Sequence, residues 1–202
     1  MKTLLYISFF VLWIGAANAQ TKIGIRGGLT LSNAQIKYNG AKEETATRYG
    51  YQGGITLEFA RKNRNSFFNT AILYTLKGTN YTYQDTTYKI PVTYIEIPFN
   101  FEFKQDLGRS MAFFELGPYL GIAISAQAKS DDGTRDIAFG RGEDEISPID
   151  AGFNFGAGIE KTKVKFGFNY ALGLVNVDTR DDYKSKMHSF AFYIQYTLYT
   201  KN

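Results

Sequence analysis

Cysteine is absent from the 202-residue chain. That excludes disulfide staples, thiolate metal centres and thiol nucleophiles. No stretch beyond the N-terminal segment holds 18 consecutive apolar residues, so the sequence offers no transmembrane helix. Phosphate-cradling glycine loops and the HExxH zinc motif are also missing, and nothing calls for a cofactor. The net charge is only +4, and basic residues do not gather into a stripe with interleaved aromatics. Nucleic acid is therefore not an expected partner. Aromatics are plentiful instead, with 15 Tyr and 17 Phe, alongside 20 Gly. Such a composition without cysteine fits an all-β protein with aromatic girdles and tight strand packing.

The first residues read as an export signal. Lys2 supplies the charge, residues 4–14 form an apolar core broken only by Ser8, and Ala17-Asn18-Ala19 is a small-x-small cleavage site. The apolar run falls short of the ~20 residues a spanning helix needs, which argues against a retained anchor. Cleavage after Ala19 leaves residues 20–202 as a single domain.

That domain alternates with a period of two, the mark of strands whose successive side chains face opposite ways. Eight segments carry the pattern: 22–32, 49–60, 66–83, 89–104, 110–127, 149–160, 164–176 and 188–199. The fourth is the clearest. Ile95, Ile97, Phe99, Phe101 and Phe103 share one face, and Tyr94, Glu96, Pro98, Asn100, Glu102 and Lys104 share the other. After Gly78 the third segment's alternation blurs, which suggests a bulge. One face of the set is apolar and almost uncharged. The other is glycine, small polar and charged. A soluble sandwich would show the polar face to water, but these strands exceed the usual ~5–6 residues of globular sheets. The expected fold is thus an all-β, eight-stranded antiparallel transmembrane barrel. Connections 62–65, 105–109 and 161–163 are short. Connections 33–48, 84–88, 128–148 and 178–187 are mostly longer. Short periplasmic turns and longer extracellular loops put both termini in the periplasm of an outer membrane.

Tyr94-Ile95-Glu96-Ile97-Pro98-Phe99 resembles the Tyr-Leu-Glu-Ile-Pro-Leu segment of the PorT-like family of small outer-membrane barrels. Gly117-Pro118-Tyr119-Leu120-Gly121 and the block from Asp150 to Gly158 look like later segments of that family. The resemblance spans essentially the whole mature chain. It implies an eight-stranded barrel of the OmpX and OmpA-membrane-domain type. The family's founding member is linked to secretion and gliding systems, and most members have no assigned activity. Many barrels end on an aromatic residue read by the insertion machinery; here Tyr199 is followed by Thr200-Lys201-Asn202.

Candidate chemistry starts with the inward charges. A turn centred near Leu107 pairs residues whose numbers sum to about 213–215, a hairpin-register estimate that sets Glu96 and Glu115 near one another inside the barrel. Two such carboxylates could serve acid/base work or hold a cation. The competing reading is a structural ion-pair network with Arg26, Lys77 or Lys165, because an eight-strand interior is just filled by side chains and buried charges need partners. His188 is the only histidine and Ser189 adjoins it, but neighbours on a strand point to opposite faces and cannot easily share a catalytic site. Residues 130–147 hold Asp131, Asp132, Asp136, Glu143, Asp144 and Glu145 with Arg135 and Arg141. The spacing matches no EF-hand, and a solvated, flexible surface loop is expected. No catalytic, cofactor or metal residue is assigned.

Three roles remain. One is a non-enzymatic barrel that is structural, or binds a partner through its outer loops in support of a secretion or envelope assembly. The second is a narrow passive channel, and the third a lipid-modifying enzyme. Expected partners are membrane lipids and lipopolysaccharide, the barrel-insertion machinery, and an unidentified protein or ligand at the extracellular loops.

Overall fold

The computed structural model describes residues 20–201, apart from 61–64, 84–85, 132, 141, 143–144 and 181. The proposed export signal and most of the 62–65 connection therefore lie outside the described residues.

Ten antiparallel strands form one sheet: β1 (Thr21–Tyr38), β2 (Ala41–Lys42), β3 (Thr45–Ala60), β4 (Ser66–Tyr83), β5 (Thr86–Asp106), β6 (Met111–Ser130), β7 (Gly133–Asp136), β8 (Ile149–Lys161), β9 (Val164–Gly173) and β10 (Tyr183–Lys201). Their order is β10-β9-β8-β6-β5-β4-β3-β1-β2, with β7 on β6, and β10 also pairs with β1. That last pairing closes the sheet into a ring and leaves the long strands no free edge. It runs unbroken from Thr21–Lys201 to Tyr38–Tyr183 apart from a shift at Ile23/Gly24. Among the described residues no helix is long and apolar enough to cross a membrane.

Two expectations change. Among the described residues the sheet counts ten strands, eight long and two short, because polar segments read as loops are themselves paired. Residues 33–48 supply the end of β1, all of β2 and the start of β3. Lys37 pairs with Lys42 and Tyr38 with Ala41 across Asn39-Gly40, whose φ values are +47° and +85°. Two left-handed residues make the two-residue hairpin turn that matches strand twist, so Asn-Gly stands where such a turn needs it. Pairing continues here because backbone hydrogen bonds do not depend on an apolar side-chain pattern.

The second change concerns residues 137–146. Those among them that are described do not hang free. Ile137, Phe139 and Ile146 pack onto Val92, Tyr94, Ala123 and Ala126 inside the ring. The Ile137 amide donates to the Ala126 carbonyl and the Ser147 amide to that of Val177, both at 2.9 Å. Ile137, Phe139 and Ile146, scattered among the charges, thus lie over the mouth.

The blurred alternation near Gly78 does mark an irregularity. The β3–β4 register shifts between Thr47 and Gln52, opposite that stretch. Gly78 has φ +146°, and a Cβ there would lie 2.0 Å from the Ile90 carbonyl oxygen, so only glycine fits.

The alternating faces fall as the period-two pattern predicts. Leu29, Ile55, Ile72, Phe101, Phe155, Phe168 and Phe192 are exposed on the outside of the ring. Arg26, Glu58, Lys77, Glu96, Glu102, Lys104, Glu115, Asp150, Glu160 and Lys165 are buried inside it. This inverts a soluble protein, in which large apolar side chains fill the interior. Inward glycines make room for lumen rings: a Cβ on Gly167 would lie 2.6 Å from the Tyr193 ring, and one on Gly158 2.6 Å from that of Phe113.

Candidate functional site: a charge-filled lumen

Two clusters of paired charge occupy the interior. The larger lies toward the tight turns, where parity sends Lys22 (β1), Glu58 (β3), Glu102 and Lys104 (β5), Glu160 (β8) and Lys165 (β9) inward. The Lys104 ammonium meets Glu58 at 2.7 Å, Glu102 at 3.0 Å and Glu160 at 2.5 Å. The ammonium thus donates to Glu58 and Glu160 and pairs with Glu102, so one cation serves three carboxylates. Lys165 donates to Glu58 at 3.0 Å and to Glu102 at 2.8 Å. Lys22 reaches Glu58 at 3.1 Å and Glu160 at 2.8 Å. Three ammoniums therefore balance three carboxylates. Phe67 and Phe113 present ring faces to Lys104 and Lys165 at 4.2 and 4.8 Å, adding cation–π attraction.

Oxygens of Glu58, Glu102 and Glu160 lie close enough together to hold a metal ion. Lys104 already supplies the positive charge at their centre, so the group is satisfied as an ammonium site.

Above this cluster Glu115 accepts from Asn69 at 3.2 Å and from the Tyr193 hydroxyl at 3.1 Å. Arg26 lies over the Tyr193 ring at 3.9 Å and donates to Gln195 at 3.0 and 3.2 Å. The second cluster lies nearer the capped mouth. Lys77 pairs closely with Glu96, and its ammonium is 3.8 Å from Asp150, which also accepts from Tyr119 at 3.1 Å.

The five residues singled out from sequence all face inward, but they do not form one group. Lys165 belongs to the lower cluster, Lys77 and Glu96 to the upper, and Arg26 and Glu115 lie around Tyr193. Glu96 and Glu115 are not cross-strand neighbours. Glu96 faces Gly121 and Glu115 faces Glu102, since the β5–β6 register sums to 217 rather than 213–215. The strands run on to Asp106 and Met111, and the turn with Gly108 at φ +87° centres later than Leu107. Six residues then separate the two levels, roughly 20 Å of strand. Glu96 pairs with Lys77, and no ion pair among the described residues joins it to Arg26.

His188 and Ser189 part as strand geometry requires. His188 stacks on Tyr170 toward the outside, with centroids 6.5 Å apart, while Ser189 is buried. In the 130–147 segment Asp132, Arg141, Glu143 and Asp144 lie outside the described residues. Glu145 there accepts from the Gly142 amide at 2.6 Å, and Asp136 from Gln127 at 3.0 Å.

A family model described as outer membrane protein beta-barrel domain matches residues 18–179. The chain belongs to that family. Its closed sheet, apolar exterior and polar interior are those of an outer-membrane barrel, which places the protein in the outer membrane. Among solved structures the barrel is similar to Neisserial surface protein A, at 11% identity and a TM-score of 0.50, covering 89% of this chain and 99% of that one. It is also similar to Ail, the attachment invasion locus protein of Yersinia pestis, in complex with the heparin analogue sucrose octasulfate, at 14% identity and a TM-score of 0.43, with the same coverage. These likenesses concern the fold. No curated protein matches the sequence.

The barrel's lower cluster was overlooked as a site, although parity already put Glu58, Glu102, Lys104 and Glu160 inside. What was missing was which strands face one another across the ring. Lys22 and Glu160 are 138 residues apart, and Lys165 and Glu58 are 107 apart.

Proposed function

We propose that this protein is a non-enzymatic outer-membrane barrel whose eight long strands span the membrane, with β2 and β7 standing beyond it. The tight turns and both termini lie in the periplasm, the long hairpins lie outside, and residues 1–19 are removed on export. Its role is structural or partner-binding, exerted through the outer hairpins and the cap of Ile137, Phe139 and Ile146. The PorT-like blocks around Glu96 favour a place in a secretion or envelope assembly.

The observation that carries this reading is the lumen. Two charge clusters, lumen aromatics and an apolar cap fill the interior where a channel would need an open path. Fully partnered lysines and glutamates are also poor acid/base catalysts, since their protons and lone pairs are already engaged. The separation of His188 from Ser189 argues against a serine acylhydrolase arrangement.

The native chain has no cysteine, so single cysteines report topology cleanly. Asn39→Cys should react with a membrane-impermeant maleimide on intact cells, and Thr162→Cys should react only after the outer membrane is opened. The reverse pattern would overturn the orientation. Crosslinking from cysteine at Asn39 on intact cells should then capture a discrete partner. Capture of lipid alone would leave the structural role and remove the partner-binding one.

A further inference from the structure

Exposed charge differs between the two ends of the barrel. At the long-hairpin end, exposed Lys37, Lys42 and Lys184 are interspersed with exposed Glu44 and Asp182 and half-buried Glu43. Among the described residues, the exposed cations at the tight-turn end are Arg109 in the β5–β6 turn, Lys161 and Lys163 around the β8–β9 turn, and Lys201 at the β10–β1 seam. Among the described residues only Asp106 is an exposed carboxylate there, and it accepts from the Gly108 amide at 2.6 Å. None of the four cations makes an ion pair among the described residues. Glu58 and Glu160, the lumen carboxylates at this end, are buried and already neutralised by lysines inside.

Their placement relative to the apolar band says what they meet. Lys161 continues the outward face of β8 two residues beyond Ile159, itself half exposed. Lys201 stands two residues beyond exposed Tyr199 on the outward face of β10. Two residues are roughly 7 Å of strand. Lys163 precedes Val164, which leads to outward Phe166, and Arg109 follows exposed Leu107 in its turn. A lysine or arginine rooted this close to an apolar surface lays its stem on hydrocarbon and its charge in the headgroup layer.

We propose that these four residues form a cationic rim that binds the phosphate groups of anionic phospholipids in the leaflet facing the tight turns. The inference rests on the membrane-spanning reading, and the proposed orientation makes that leaflet the periplasmic one. The cations sit at three separate points around the ring rather than in one patch. A single small anion cannot bridge them, whereas an annulus of lipids meets each one. Near an anionic surface each such charge adds attraction that salt screens away.

The test uses the full chain folded into vesicles of phosphatidylcholine mixed with phosphatidylglycerol, with spin-labelled lipids reporting relative association. Wild type should prefer phosphatidylglycerol several-fold at low salt and lose most of that preference at high salt. The variant Arg109→Gln/Lys161→Gln/Lys163→Gln/Lys201→Gln should lose most of that preference. Lys37→Gln/Lys42→Gln/Lys184→Gln, which removes three positive charges at the other end, should keep it. If the quadruple variant does not fold, Lys161→Gln and Lys201→Gln singly should each lower the preference. Equal preference in wild type and rim variants, or none in wild type, would overturn the proposal. So would rim-dependent co-sedimentation of detergent-solubilised protein with purified peptidoglycan in place of the lipid effect, which would assign the rim to the cell wall. Failure of the spanning reading itself would show differently, as wild type that never inserts into the vesicles.

Discussion

Lys104→Met is the sharpest perturbation of the lumen. The substitution keeps an unbranched stem against Phe67, 4.2 Å from the present ammonium, and removes only the charge and its three donors. Glu58, Glu102 and Glu160 remain, with Lys22 and Lys165 as their only ammonium partners. Glu58 keeps contacts at 3.0 and 3.1 Å, Glu102 one at 2.8 Å and Glu160 one at 2.8 Å. One negative charge is thus left over in a buried cluster. Removing one member of a buried ionic group costs about 3–5 kcal/mol. Because each carboxylate keeps a partner, the expected cost is near the lower end, about 3 kcal/mol. Urea unfolding in vesicles, followed by the gel shift between folded and unfolded forms, measures it. Adding Glu102→Gln restores the charge balance and should recover part of the loss, with a coupling of about 0.5–3 kcal/mol. Millimolar calcium should raise the midpoint of Lys104→Met and leave wild type unchanged, since the three carboxylates then lack their central cation. A cost below about 1 kcal/mol, typical of exposed pairs, would mean that the lumen charges are solvated and the network reasoning is wrong.

Other expectations follow from the same geometry. A double-mutant cycle should couple Glu96→Gln to Lys77→Met but not to Arg26→Met, because only the first pair is in contact. Phe101→Arg or Phe155→Arg should destabilise the inserted barrel by about 2–4 kcal/mol near the bilayer midplane, while Tyr49→Arg at the outer rim should cost less than about 1 kcal/mol by the same urea assay. Gly167→Ala should cost about 1–3 kcal/mol by crowding the Tyr193 ring, and Tyr193→Leu in the same chain should relieve part of it. Mass spectrometry of membrane-purified protein should find Gln20 at the N-terminus, and retention of residues 2–19 would contradict the export reading.

Much of the fold was legible because a membrane barrel writes its two faces into sequence with a strict period of two. Ile95 to Phe103 and Tyr94 to Lys104 could be sorted without any structure, and so could the burial of Glu96, Glu115 and Lys165. The hairpin register was nearly legible, but a few residues' error in the β5–β6 turn was enough to bring Glu96 and Glu115 falsely together. Contacts across the ring were not legible. They depend on closure of β1 against β10 and on how side chains meet in the lumen, which no local pattern encodes. The outer hairpins were misread for a different reason. Beyond the hydrocarbon, pairing persists without apolar alternation, so Lys37-Tyr38-Asn39-Gly40-Ala41-Lys42 looked like loop although its Asn-Gly turn was in plain view. The folding of Ile137, Phe139 and Ile146 over the mouth was hidden by the charges around them.

The central claim is that paired charge and the cap of Ile137, Phe139 and Ile146 seal the lumen. Planar-bilayer recording of the purified, refolded wild-type chain tests it most directly. A sealed lumen predicts a flat baseline at moderate voltage, with current steps appearing only when Lys77 and Lys104 are both replaced by alanine and residues 137–146 by a short glycine-serine link. Stable, ohmic single-channel steps in the wild type would contradict it and make the protein a channel.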